Sequence, residues 1–227
     1  MKLKTNLKKI YSKIKSSQKK SGYSHKVEVV GVTKTKPFSL IEESYNCGIK
    51  SIGENRIQEA ENKFESFEKM KDLKKRFIGH LQSNKVRKCV DLFDAVDSVD
   101  SYKTLKKISK IVSEKNKNFS VLIEINTSGE KQKNGFHLSE TEMIYRCFYE
   151  EKELVRGLMT IGPHTNNKNE IRKSFYKLRK LKKDLCEIDK TINIEHLSMG
   201  MSGDYDIAIE EGSTMIRVGS MLYGERN

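Results

Sequence analysis

An alternation of short apolar, β-branched runs with amphipathic stretches predicts an α/β chain folded as one (β/α)₈ (TIM) barrel over residues 1–227. Three observations carry this. Eight strand-like runs occur, helix-period segments separate them, and a chain with only 2 Pro offers no linker where a domain boundary would fall. Eight units can close into a barrel, whereas a doubly wound sheet more often uses five or six strands. No GxGxxG follows the first run, which removes the main positive sign of a dinucleotide-binding fold.

The first element is a segment at about residues 1–20, where Leu3, Leu7, Ile10 and Ile14 recur at helical spacing. That spacing predicts an amphipathic helix laid against the domain. The lysine-rich, acid-free start superficially resembles a transit peptide, but such peptides favour arginine, and a secretory signal would need an apolar core that is missing here. A cytoplasmic protein is expected. The strands are read at Val27–Val32, Ser51–Gly53, Arg76–Gly79, Ala95–Ser98, Val121–Asn126, Val155–Ile161, Asn193–Ser198 and Met215–Val218. The helices between them are read at Ser39–Cys47, Ile57–Met70, Lys85–Leu92, Tyr102–Lys115, Ser139–Glu150, Asn169–Ile188 and Tyr205–Glu211. Alternation of this kind calls for parallel pairing through right-handed crossovers.

Composition narrows the function classes. A hydrophobic fraction of 36% is low, but the apolar residues cluster as a disordered chain's would not. No apolar run approaches the roughly 18 residues that would span a bilayer, so no membrane role is expected. The four cysteines are widely spaced and form no CxxC, which argues for reduced thiols and against a metal cluster or a disulfide framework. The net charge of +13 would attract phosphate-rich partners. Its lysines, however, are interleaved with acids along the helical segments, and no aromatic ladder accompanies them, so no specific nucleic-acid partner is expected.

In this fold, chemistry sits at the C-terminal ends of the strands, with phosphate commonly held by the loops after strands seven and eight. The first strand ends in Val32-Thr33-Lys34-Thr35-Lys36-Pro37. Read as extended chain, Lys34 and Lys36 point to the same side, and a desolvated lysine favours the neutral amine that attacks an aldehyde. The alternative is two surface lysines opening a loop. The second and third strands run into Gly53-Glu54-Asn55-Arg56 and Gly79-His80-Leu81-Gln82, where Asn55 and His80 are able to hydrogen-bond a ligand or merely cap a helix. The polar turn from Asn126 to Glu130, and His164 after the sixth strand, are unspecific. The C-terminal quarter is more informative. Small residues and hydroxyls in Ser198-Met199-Gly200-Met201-Ser202-Gly203 precede a helix, and Arg217-Val218-Gly219-Ser220 adds donors beside them, an arrangement suited to an anion. Glycine and serine are also ordinary turn residues, and Arg217 is equally suited to a structural ion pair.

Five stretches together resemble the pyridoxal phosphate homeostasis proteins, also called proline synthetase co-transcribed homologues. They are Val30–Pro37, GENRIQE at Gly53–Glu59, IGHLQSNK at Ile78–Lys85, GLMTIGP at Gly157–Pro163, and the long run from Leu197 to Arg226. The likeness extends from about Val27 to the C-terminus, and the last stretch is its most specific part. It implies a barrel of the alanine-racemase N-terminal-domain type (fold type III of pyridoxal-phosphate proteins) with pyridoxal 5′-phosphate as cofactor. Lys34 would carry that cofactor as a Schiff base. Ser202, Gly219 and Ser220 would hold its phosphate, Arg217 would face the pyridine nitrogen, and Asn55 and His80 would line the ring. Ser198 and Met199 are further candidates for contact, and Lys36 for a part in cofactor transfer. Arg56 stands where an aromatic residue is also usual, and the first helix is unusually lysine-rich; neither departure touches the expected site.

Arg217 separates carrier from enzyme. The cofactor is the better electron sink when its ring nitrogen is protonated, and an arginine, always cationic and only a donor, favours the unprotonated ring. Racemisation would also need a second acid–base group on the opposite face, which related racemases take from a further domain. The expectation is therefore a carrier involved in intracellular homeostasis of the cofactor, without catalytic turnover. It would act as a monomer and release its load to cofactor-dependent apo-enzymes, with a racemase-like enzyme as the alternative.

Overall fold

Parallel pairing runs unbroken round the molecule: β1 (Glu28–Val32), β2 (Ser51–Glu54), β3 (Lys74–Phe77), β4 (Ala95–Val99), β5 (Ser120–Asn126), β7 (Val155–Met159), β8 (His196–Ser198) and β9 (Met215–Val218). The β4–β5 pairing joins the two ends of the order β4-β3-β2-β1-β9-β8-β7-β5, so the sheet is a closed eight-stranded barrel. A two-residue strand, β6 (Phe136–His137), pairs with β5 outside that cycle. These elements come from a computed structural model that describes residues 2–64 and 70–224.

The helices are α1 (Lys2–Ser21), α2 (Phe38–Asn46), α3 (Ile57–Lys63), α4 (Val86–Leu92), α5 (Tyr102–Glu114), α6 (Thr141–Glu150), α7 (Lys168–Ile188), α8 (Tyr205–Glu210) and α9 (Ser220–Tyr223). Their apolar stripes face the outer surface of the barrel, where alternate strand residues such as Val121, Ile123 and Ile125 meet them. The remaining strand residues turn inward. Val30, Leu122, Met159 and Met215 make an apolar layer inside the barrel. Nearer the N-terminal ends of the strands, buried Arg76 donates to Asp97 Oδ1 (2.9 Å) and Ser51 Oγ (2.9 Å) and pairs with Glu28 (3.2 Å). A buried cation shared between two carboxylates and a hydroxyl is tolerable because its donors are satisfied.

The expected barrel holds, with local differences. The third strand runs over Lys74–Phe77 rather than Arg76–Gly79, because Lys74 and Lys75 hide its start behind charge; Arg76 points into the buried ion cluster while Phe77 faces outward. β6 and α9 carry no periodic signal, being two and four residues long. The helix expected over Ile57–Met70 is described as far as Lys63; its stretch 65–69 lies outside the described residues, and Met70 is irregular. No described helix is long and apolar enough to cross a membrane.

The first helix covers the seam where β9 meets β1. Leu3, Leu7, Ile10 and Ile14 join one core with Val29, Ile216, Val218 and Leu222, and Asn6 donates from its amide to the Leu222 carbonyl (3.0 Å). Ile10 is fully buried. Truncating such a side chain forfeits its transfer free energy and leaves a cavity, so Ile10→Ala is expected to lower unfolding free energy by about 2–5 kcal/mol, read from urea denaturation. A loss under about 0.5 kcal/mol, the level of an ordinary surface change, would mean that the helix is not part of the cooperative fold.

Candidate functional site

At the C-terminal mouth, β1 and β9 lie side by side with Val30 opposite Arg217 and Gly31 opposite Val218. The turn after β1 therefore emerges beside the turn after β9. Between them is a cavity of about 250 Å³ whose lining includes Lys34, Lys36, Ser202, Arg217, Gly219 and Ser220. Six of the residues singled out in the sequence thus surround one space.

The turn carrying Lys34 is not the extended chain that the sequence reading assumed. β1 stops at Val32, the Lys36 N–H donates to the Thr33 carbonyl (3.0 Å), and Thr35 takes a left-handed φ of 62°. Lys34 and Lys36 face one cavity because the chain curls, which strand parity does not describe. Polar groups hold the curl. Thr33, buried, donates from Oγ1 to Glu54 Oε1 (2.7 Å), the Thr35 N–H donates to Glu59, and Lys63 Nζ donates to the Thr33 carbonyl (3.0 Å), Glu54 (3.0 Å) and Glu59 (2.6 Å). Burial pushes the Glu54 carboxyl up despite these donors. For Glu59 burial also pushes upward, but Lys63 and the Thr35 N–H outweigh it and hold that carboxyl below its usual range.

Across the cavity, Ser202 Oγ accepts from the backbone N–H groups of Gly219 (3.3 Å) and Met221 (3.2 Å), so the loop after β8 is tied to the turn after β9. These long bonds leave a hydroxyl and amides able to exchange one another for an anionic oxygen. Gly200 lets the loop after β8 pack closely against the start of α8. Its φ is 97°, and a Cβ there would stand 2.6 Å from that of Ala208. Its carbonyl accepts from the Arg217 N–H (3.0 Å).

Arg217 lies inside the barrel, where its guanidinium donates to Ser198 Oγ (2.7 Å) and the Thr160 carbonyl (2.9 Å). No carboxylate among the described residues comes within ion-pair distance of it. Burial lowers its pKa, while Asp97, Glu124 and Asp204 oppose that from further away. An arginine starts high enough to stay cationic at neutral pH. Ser198 is thus a support for Arg217. Met199 packs outward among the helices, away from the cavity. Asn55 and His80 line a second cavity of about 170 Å³ together with Arg56, Gln82, Lys85 and Lys88, and His80 pairs with Asp100 (3.0 Å). Asn126 folds its own turn by accepting from the Gly129 N–H (2.9 Å).

One group at this end escaped the sequence reading. Glu124 interrupts the apolar run of β5, and since Val121, Ile123 and Ile125 face outward, parity turns it into the barrel. A carboxylate at an inward position of a buried strand is the signal that would have found it. Burial, reinforced by the Asp100 charge, pushes its carboxyl up to about 7 against the pull of Arg217 and His80.

An eight-stranded parallel barrel that gathers amines, hydroxyls, backbone amides and a buried guanidinium at its C-terminal mouth defines a protein built to hold a small anionic molecule. The family model described as alanine racemase, N-terminal domain, matches residues 5–227. A relative from Aquifex aeolicus, named pyridoxal phosphate homeostasis protein, is 37% identical over 222 residues, 97% of this chain and 96% of its own length. The solved structure of PipY from Synechococcus elongatus without pyridoxal phosphate superposes with a TM-score of 0.88 at 30% identity, covering 98% of this chain and 100% of that one. The same protein with pyridoxal phosphate bound gives 0.83 at 29% identity over equal shares. The chain belongs to the pyridoxal phosphate homeostasis family, within the alanine racemase N-terminal-domain family.

The pKa of Glu124 has a measurable consequence. Its folded value, about 7, lies above the unfolded value of about 4.3. The bound proton therefore contributes stability in full below about pH 4.3 and loses it as pH rises through 7. Glu124→Gln, which cannot ionise, is expected to gain roughly 1–3 kcal/mol relative to the parent between pH 5 and pH 8 in paired urea unfolding curves. Parallel pH dependences would refute the buried, protonated carboxyl.

Proposed function

We propose that this protein holds pyridoxal 5′-phosphate and serves intracellular homeostasis of that cofactor as a carrier, without turnover of its own. The observation that carries the reading is one cavity bordered by a lysine, a hydroxyl–amide cradle and a buried arginine with neutral acceptors only. The names of the curated relatives, and the PipY structure with pyridoxal phosphate, support the cofactor and the homeostasis role.

The residues present suit the group chemically. Lys34 supplies the amine for its aldehyde. Ser202 and the turn Gly219–Ser220 supply neutral donors for its phosphate, and Arg217 supplies a donor that cannot accept, suited to an unprotonated pyridine nitrogen. When bound, the cofactor supplies a reactive aldehyde conjugated to an electron-withdrawing ring. Arg217, held by Ser198 and Thr160, keeps a permanent positive charge where proton donation to that ring would be needed for strong carbanion stabilisation. This supports holding over turnover. Lys36 borders the same cavity and is placed to take part in transfer. We propose that the molecule is a single barrel domain acting as a monomer in the cytoplasm, with apo-enzymes as recipients.

Reduction with borohydride after incubation with the cofactor, followed by peptide mapping, is expected to place the label on Lys34. The visible absorbance of the complex is expected to vanish in Lys34→Ala. An unlabelled protein, or label only elsewhere, would overturn the assignment. Ser202→Ala is expected to weaken cofactor binding by roughly tenfold in equilibrium dialysis, the worth of a hydrogen bond to a charged group. Unchanged affinity would remove Ser202 from the cradle.

A further inference from the structure

Lys34 does not sit on the rigid end of a strand. It sits between Thr33 and Thr35 on a curled turn, and a turn of that kind can present either of two amines, Lys34 or Lys36, to the cavity they both line. Something must choose between them. Thr33 and Thr35, the residues on either side of Lys34, are the ones tied to β2 and α3: Thr33 through its hydroxyl to Glu54 and its carbonyl to Lys63, Thr35 through its N–H to Glu59. Lys63 joins the three tethers by reaching Glu54 and Glu59 as well. Its side chain is 12% exposed, Glu54 is fully buried, and the remaining oxygen Glu54 Oε2 has no hydrogen-bond partner among the described residues, so the carboxylate is compensated by the Thr33 hydroxyl and the one ammonium that reaches it. Thr35 takes its left-handed backbone conformation at the Glu59 tether; a β-branched residue there is unfavourable unless its surroundings hold it.

We infer that Lys63, acting through Glu54 and Glu59, is a positioning residue that holds the Thr33–Lys36 turn so that Lys34, and not Lys36, meets the aldehyde. The inference rests on the cofactor reading above and adds the device that selects the lysine. No bond is made or broken by Lys63 itself. It orders a backbone segment before the ligand arrives, and the ordering appears as selectivity between two chemically equal amines.

The test uses the full-length protein loaded with pyridoxal phosphate, reduced with borohydride and mapped by mass spectrometry. In the parent, label falls on Lys34. In Lys63→Met the ratio of Lys34 to Lys36 label is expected to fall roughly tenfold, the factor that about 1.4 kcal/mol is worth. Lys63→Arg, which keeps the charge and the donors, is expected to restore most of it. Because Lys63→Met leaves a buried carboxylate uncompensated and can fail to fold, Glu59→Ala provides a second measurement: it frees the Thr35 N–H while leaving the Glu54–Lys63 pair intact. It is expected to shift label toward Lys36 in the same direction. Exclusive Lys34 labelling in Glu59→Ala, or in a folded Lys63→Met protein, overturns the inference. A parent protein that takes no label on either lysine instead defeats the cofactor assignment, so the two failures are distinguishable.

Discussion

Everything at the mouth of this barrel depends on β9 pairing with β1. That contact joins the last strand to the first in a fixed register, Glu28 to Met215 through Gly31 to Val218. Parallel strands end at the same side, so the register decides which C-terminal turns become neighbours. A shift of one residue would invert the inward and outward faces of one strand and turn Arg217 out of the interior. The seam is also where α1 packs, so the N-terminal helix stabilises the closure that brings Lys34 beside the Gly219–Ser220 turn.

The barrel interior separates charge into two levels. Near the strand starts, Arg76 lies between Asp97 and Glu28 and is fully compensated. Near the strand ends, Arg217 has only neutral acceptors close by, and burial pushes the Glu124 carboxyl up to about 7. Unlike charges are satisfied where the barrel needs stability and left only partly balanced where it meets a ligand. A buried cation without a near anion raises the local affinity for an acceptor, and on the proposed reading the unprotonated ring nitrogen of the cofactor meets that demand.

On the proposed reading, one of the two lysines of the first turn becomes specific without leaving the composition of an ordinary lysine-rich chain. Lys34 and Lys36 are both lysines, and the backbone around Lys34 is tied to Glu54, Glu59 and Lys63 through Thr33 and Thr35. The binding geometry is thus assembled from three consecutive units of the barrel: the turn after β1, the end of β2, and α3.

The eight-unit alternation, the helix preceding the first strand, and a donor-rich site in the last quarter of the chain are all legible in the order of the amino acids. Each follows from a local property: hydrophobic period, helix spacing, or hydroxyls and glycines next to a strand end. It also isolated Lys34, Ser202, Arg217, Gly219 and Ser220, because motifs at strand ends are contiguous. Tertiary structure alone decided the rest. Parity along an extended chain paired Lys34 with Lys36, but the curled turn with its left-handed Thr35 is held by groups about twenty to thirty residues away in sequence. Asn55 and His80 follow motif-bearing strands yet line a neighbouring cavity, Met199 turns outward beside an inward Ser198, and Glu124 faces in from the middle of an apolar run. The physical reason is common to all four. Local sequence fixes which residues stand near a strand end, but the side on which each side chain emerges depends on closure, register and hydrogen bonds made to distant segments.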